Sequence, residues 1–440
     1  MEAGKPGWCD SLNGLPALLG SSLCETLEIK RACLLLLRGL KQLSEGGTKR
    51  ITLPKEVFSF FNRLNRLIKD YFSSKTGKRD YLWWDKANFI KENFRQETFS
   101  CLLGEERQVK IESLERFLQR LVVKLNLGID KAKDKKSGLY FTYFTYEVTK
   151  YRSSNKAVIP LEFVRRNLPL FLQGPMHALK VEADKSIYPK VKKSELFDKE
   201  LKMYRLNASL ENESLEIGRS RIFVPGWLEN ESIWLHMEYK YLLEVLKNGL
   251  YREFFSDFYN CCVCFFDPQK YGRNILENSS FIVSSAYPDK SLWGKGFIAR
   301  LSGATVELLN IWMLLCLGRR PFFVDDAGLH IQFSPILEAR MFTTKEETID
   351  LQGEEITIEK NCFAFKLFSS ILVVYHNPRR VDIFKGCGIK TIIVQAEGEK
   401  HIINSSIIAP PFKLPDTGGE SRQNRSLFRV KIFQEKYLTK

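Results

Sequence analysis

The sequence predicts a mainly α fold followed by a small antiparallel β domain. Three observations carry that prediction. Apolar residues recur at helical spacing in segment after segment over roughly the first three quarters of the chain. After about residue 340 the pattern changes to short β-branched runs punctuated by glycine and Asn-Pro. Of the 440 residues, 44% are hydrophobic and 12% aromatic, enough for two or three domains around a large core. The predicted division is a helical domain over residues 1–340 and a β domain over 341–440.

The elements follow in order. Residues 4–16, Gly-Lys-Pro-Gly-Trp-Cys-Asp-Ser-Leu-Asn-Gly-Leu-Pro, are dense in loop formers. Apolar periodicity predicts helices over 22–43, closing at Gly46-Gly47, and near 54–74, 83–98 and 108–127. The lysine-rich stretch 129–137 reads as a solvated turn before an aromatic and threonine-rich strand or hairpin at 139–146. Pro169 and the Gly174-Pro175 turn split 160–181 into two short elements. Further helices are predicted over 196–206, 230–247, 251–265 and 303–317, the last stopped at Gly318-Arg319-Arg320. Strands are predicted at 355–358, 370–375 and 391–394, Asp325-Asp326 as a turn between strands, and 415–426 as a polar loop.

Net charge is +15, but the basic residues are spread along the chain and no nucleic-acid motif appears. A diffuse positive field suits phosphate or acidic metabolites. Apolar runs are too short to span a bilayer, so no membrane role is expected. The cluster Cys261-Cys262-Val263-Cys264 lacks zinc-knuckle spacing and a nearby histidine, so it reads as reduced core thiols and no metal site is expected. No signal peptide is recognised at the start, which points to the cytoplasm.

Three stretches carry chemistry. Trp8-Cys9-Asp10-Ser11-Leu12-Asn13 fits W-x-D-x-x-N. Residues Pro225 to His236 fit P-G-x-x-E-N-x-x-x-x-x-H, a tight turn delivering a carboxylate and an amide ahead of a helix. Arg300-Leu301-Ser302-Gly303 enters a helix with a hydroxyl residue and a glycine. Together and in this order they resemble the inverting disaccharide phosphorylases, the cellobiose and chitobiose phosphorylase family, over roughly residues 1–400. The resemblance implies an (α/α)6 helical toroid followed by a β domain. It implies cleavage of a β-linked di- or oligosaccharide by inorganic phosphate, the co-substrate, to a sugar 1-phosphate, with no other cofactor.

The resemblance places the catalytic acid on Asp10 and the phosphate around His236, Ser302 and Gly303. It gives Glu229 to the sugar hydroxyls, with Trp8, Asn13 and Asn230 beside it. Glu277, in a second polar turn, is a further candidate for sugar binding, and His177 after Gly174-Pro175 a weaker candidate for the cleft. The chemistry agrees with these residue types. Phosphate already carries negative charge, so one acid and an anion pocket suffice where a hydrolase needs a second carboxylate. Each residue also has a plain structural reading: Asp10 and Ser302 as helix caps, His236 as a core histidine, Glu229 as a carboxylate on a helix dipole.

Two features depart from the family. The acid motif lies ten residues from Met1, so the toroid is expected to be incomplete at the N-terminus, with about eight or nine helices. A partner chain supplying the remainder, or a homo-oligomer, would then cover unpaired helix faces. Second, Glu231-Ser232 stand where the phosphorylases carry two glycines. The alternatives to phosphorolysis are a glycoside hydrolase on the same toroid, with Glu229 or Glu277 as second carboxylate, and a silent fragment that binds carbohydrate or a partner chain.

Overall fold

A computed structural model describes residues 9–154, 157–298, 302–351, 354–368, 371–396, 399–410 and 428–436. The chain forms two compact units. The first comprises Met1–Asp198, Arg205–Ser232 and Ala286–Pro288; the second comprises Lys199–Tyr204, Ile233–Ser285 and Asp289–Lys440.

The first unit begins, after two 3-10 turns, with β1 (Ser21–Ser22) and α1 (Leu23–Glu45). Ser22 is extended and its hydroxyl accepts from the Cys24 N–H at 3.2 Å, capping α1. Next come β2 (Arg50–Pro54), α2 (Lys55–Ser73), α3 (Arg79–Glu97), β3 (Glu106–Lys110) and α4 (Ile111–Ala132). β2 and β3 pair antiparallel. The apolar faces of α1, α2 and α4 close a core of Cys33, Leu40, Phe61, Ile68, Phe117 and Leu125. Each large side chain so buried contributes about 1.5–3 kcal/mol. α3 buries no residue fully and is held on α2 by contacts such as the stacked Phe60 and Phe94 rings, 4.5 Å apart.

A long hairpin follows, β4 (Tyr143–Ser154) against β5 (Ala157–Asn167), then α5 (Gln173–Glu182), α6 (Ile187–Lys193) and β6 (Phe197–Asp198). The base of the hairpin belongs to a second core, formed by Cys9, Leu12, Leu15, Tyr143, Leu168, Phe171, Leu210 and Ile217. That core lies directly under the loop carrying Asp10, so the loop is packed from below by apolar side chains.

The second unit contains β7 (Met203–Tyr204), β8 (Ile233–Trp234), α7 (Leu235–Lys247), α8 (Tyr251–Cys261), α9 (Pro268–Tyr271), β9 (Phe281–Ile282), β10 (Gly296–Phe297) and α10 (Ser302–Leu317). β8, β9 and β10 make one small antiparallel sheet with β9 central. α7 is buried nearly all round, with Met237, Tyr239, Leu242 and Leu246 inside, and it packs on both α8 and α10.

The β part follows as β11 (Phe322–Asp325), β12 (Gly328–Gln332), β13 (Glu347–Leu351), β14 (Glu354–Ile358), β15 (Cys362–Leu367), β16 (Ile371–His376), β17 (Cys387–Ala396), β18 (Glu399–Ile403), β19 (Ile407–Ile408) and β20 (Phe428–Lys436). Five strands form its largest sheet, in the order β15-β16-β20-β17-β18.

The structure agrees with the sequence expectations in part and differs at particular elements. The predicted helical content agrees in part: the chain is mixed, 43% helix and 24% strand, with small antiparallel sheets. Among the described residues of the second unit, strands follow one another without an intervening α-helix from Phe322 onward. Residues 196–206 are not a helix: Lys202 takes the left-handed conformation, φ 57°, and the chain reverses there. The helix predicted from 230 starts at Leu235, because Leu228 and Glu231 are also left-handed, at φ 49° and 56°. In the β domain, predicted antiparallel, β16 and β20 run parallel. Residues 415–426 lie outside the described residues. Among those described, no helix is long and apolar enough to cross a membrane.

Candidate functional site

The first group of candidate residues lies in the first unit. Asp10 opens a 3-10 turn, Asp10–Leu12, and is exposed, while its neighbours Cys9, Ser11 and Leu12 are buried. The alternation fixes the loop and leaves the carboxylate facing out. The loop is docked on a second segment: the Gly14 N–H donates to the Ile217 carbonyl at 3.2 Å, and Cys9 Sγ meets Ser220 Oγ at 3.6 Å. Asn13 is exposed, with its Oδ1 close against Gly218. Trp8 lies outside the described residues.

Glu229 sits on a turn with unusual backbone. Gly226 has φ 83° and donates to the Asn230 carbonyl at 2.8 Å; a Cβ there would meet the Tyr287 nitrogen at 2.5 Å. Only glycine satisfies both demands. Asn230 is buried, donating to the Phe223 carbonyl at 2.7 Å and accepting from Asn207 at 3.3 Å. Asn207 also accepts from the Glu231 N–H at 2.9 Å. Asn230 thus serves as an internal brace of the turn, where a sugar contact was expected.

The half-buried Glu229 carboxyl is pushed above its ordinary range, first by burial and then by the negative charge of Asp10, against the opposing pull of Arg219. Its charge also reaches Cys9, whose thiol is pushed up to about 12, mostly by burial. Asp10 and Arg219 thus act on the Glu229 carboxyl with opposite sign. A carboxyl raised in this way keeps its proton to higher pH than an exposed one.

Glu231 replaces an expected glycine and bears its left-handed φ at a cost of about 1–2 kcal/mol. Its carboxylate lies 3.5 Å from Arg205, itself 3.2 Å from Asp198. Burial raises the Glu231 carboxyl and Arg205 lowers it. The Ser232 hydroxyl donates to the Leu228 carbonyl. These contacts hold the turn with Glu231 and Ser232 in it.

The second group lies in the second unit. His236, in the first turn of α7, is half-buried rather than a core residue. Its ring lies against Gly303 of α10, where a Cβ would meet Nδ1 at 2.7 Å. Nε2 is 3.8 Å from Glu307, whose carboxyl is held below its ordinary range chiefly by His236. The glycine thus lets α10 approach the imidazole. Ser302 is the first residue of α10; its side chain, with Arg300 and Leu301, lies outside the described residues.

Other candidates take structural places. Glu277 is exposed and pairs with Arg273 at 3.4 Å. His177 Nδ1 meets Glu28 of α1 at 3.0 Å. Asp325 accepts from His330 at the β11–β12 turn, 2.8 Å. All ten cysteines are free thiols; Cys261 and Cys262 are buried as expected, but Cys264 is exposed.

Sequence reasoning missed Arg219, Asn207, Trp227 and Tyr287. The Trp227 and Tyr287 rings lie 5.6 Å apart beside the Glu229 turn and are both half-buried, an aromatic surface of the kind that packs on sugar rings. The bulk of Trp227 inside the turn motif was a usable signal; Arg219 and Tyr287 have none, being brought close by folding alone. No family profile and no curated protein matches this chain, so what the site does is argued from its own residues.

Proposed function

We propose that the chain is a carbohydrate-active protein that cleaves a β-linked di- or oligosaccharide with inorganic phosphate, inverting the anomeric centre. The observation that carries the reading is the half-buried Glu229 carboxyl, on which Asp10 and Arg219 both act, beside the aromatic pair Trp227 and Tyr287. Asp10 is the acid that protonates the leaving oxygen as the glycosidic C–O bond breaks. A phosphate oxygen forms the new bond to the anomeric carbon, and the proton of hydrogen phosphate then recharges the acid. Glu229 accepts from sugar hydroxyls.

His236, with the start of α10 at Ser302 and Gly303, supplies a phosphate-holding element. Close approach of Gly303 to the imidazole supports that role. A partial, (α/α)6-toroid-like helical domain is the architecture of the proposal, supported by helices packed in pairs: α1 with α4 and α2 with α3 in the first unit, α7 with α8 and α10 in the second. Association with another chain is part of it too, supported by the stripe Val306, Leu309 and Met313 that α10 exposes. Free thiols throughout fit a cytoplasmic setting.

The test is release of sugar 1-phosphate from a panel of β-linked disaccharides. Turnover should require phosphate and fall by at least about 10³-fold in Asp10→Asn. The raised Glu229 carboxyl favours one second reading, a hydrolase in which Glu229 and Asp10 divide the acid and base roles. Equal turnover in phosphate-free buffer would select the hydrolase. Sugar binding without turnover in either buffer would leave a carbohydrate-binding protein.

A further inference from the structure

The largest sheet of the second unit brings together three side chains that no carbohydrate chemistry uses. Cys362, the first residue of β15, is the direct cross-strand partner of His376, the last residue of β16. Such antiparallel partners place their Cβ atoms about 4.5–5.5 Å apart. Glu359 precedes Cys362 by one tight turn. One ligand atom from each of the three lies within 4.8 Å of the other two.

The scaffold around them is fixed. Asn361 is left-handed, φ 63°, and turns the chain between Glu359 and Cys362. The Thr343 hydroxyl donates to the Glu359 carbonyl at 2.7 Å and accepts from the Cys362 N–H at 2.9 Å. The Asn377 N–H donates to the Asn361 carbonyl at 2.9 Å, tying the end of β16 to the same turn. Cys362 sits on an apolar wall with Ile356, Ile358, Leu372 and Val374. His376 is half-buried and Glu359 exposed, so the group opens to solvent on the carboxylate side. An ion can enter there, and a water can complete its coordination.

We propose that Glu359, Cys362 and His376 form a binding site for a divalent transition ion of the zinc class. Thiolate, imidazole and carboxylate together are the donor set that zinc takes, with one further position left for water. Bonds of about 2.0–2.3 Å in a tetrahedral site place ligand atoms roughly 3.3–3.8 Å apart, so the exposed Glu359 side chain swings in to close the site. Binding releases the Cys362 thiol proton to solvent, so affinity rises with pH. Its place, at the junction of two strands and a turn, makes the ion a clamp on the sheet. The inference is independent of the proposed carbohydrate activity.

Metal content and cobalt spectra of the full chain test it. Purified protein is equilibrated with zinc, dialysed and assayed; one ion per chain should remain. Cobalt(II) should give a thiolate-to-cobalt charge-transfer band in the near ultraviolet. Both signals should be lost in Cys362→Ser and fall at least tenfold in affinity in His376→Ala, while Cys264→Ser, at an exposed thiol elsewhere, keeps them. Zinc should raise Tm in the wild type and not in Cys362→Ser. Glu359→Gln, at an exposed position that leaves the fold intact, should weaken zinc without abolishing the cobalt band. Less than one tenth of an ion per chain after dialysis, or a cobalt band that survives Cys362→Ser, would overturn the proposal and leave a hydrogen-bonded cluster only.

Discussion

Gly226 and Glu229 show how one turn can be tested at single residues. Gly226 holds φ 83° with the Tyr287 backbone at its open side, so Gly226→Ala adds both strain and a clash. A loss of about 1–3 kcal/mol is expected in chemical denaturation; a change under about 0.5 kcal/mol would show that the turn gives way freely. Glu229 makes the opposite prediction. Its folded carboxyl is raised, chiefly by burial, so ionisation above the unfolded value near 4.5 costs stability. Glu229→Gln should therefore raise Tm at pH 7 by about 1–3 °C, with no gain near pH 3, where the carboxyl is protonated in both states. The same variant should lose sugar binding. A residue that costs stability and supports activity is the signature of a functional group; a variant less stable at pH 7 would make Glu229 a structural residue.

Elements differ in how far the sequence disclosed them. α1, α2 and α4 were legible because each repeats its apolar stripe over three or more turns, and α10 because it is apolar nearly all round and stops at Gly318. The stretch 196–206 was not, because its apolar Leu196, Met203, Tyr204 and Leu206 are all buried at helix-like spacing while Lys202 reverses the chain. A left-handed lysine or glutamate has no local signal. The Asp10 loop and the Glu229 turn were found through their motifs, yet the Arg219 that acts on Glu229 was invisible, since folding alone brings its segment near, with Gly14 docked on Ile217. The α1–α5 contact was equally hidden. There Glu28 meets His177 at 3.0 Å, Lys180 at 2.6 Å and Arg31 at 2.7 Å. His177 first, then Lys180 and Arg31, hold the Glu28 carboxyl well below the usual range. A depressed carboxylate stabilises above its unfolded pKa, and that contribution is lost as pH falls through the folded value. Glu28→Gln should lower Tm at pH 7, and the deficit should shrink steadily below about pH 4. A deficit of constant size down to about pH 2 would mean that packing, and not charge, joins the two helices.

Charge acts on the whole molecule through the same linkage. Glu28, Asp80, Asp134, Asp184, Glu307 and Asp382 are carboxyls held below their ordinary values, each facing at least one basic side chain. Glu213, Glu229, Glu231 and Glu338 are raised, all chiefly by burial. The two sets work in opposite directions. The depressed set stabilises the fold above about pH 4 and its contribution disappears on acidification; the raised set penalises the fold as pH climbs past about 4.5. A net charge of +15 at pH 7 adds a third effect, because protonating carboxylates below pH 4 leaves the cations unbalanced and increases self-repulsion. Tm should therefore peak in the mildly acidic to neutral range and fall steeply below about pH 4. Salt separates the causes. Repulsion among exposed cations is screened with a Debye length of about 3 Å at 1 M, whereas the loss of half-buried pairs such as Glu28–His177 is not. Raising salt at pH 3 should recover part of the Tm and at pH 7 should change it little. Full recovery at pH 3 would assign the acid limb to net charge alone, and a Tm that stays level down to about pH 2 would show that the depressed carboxylates contribute nothing measurable.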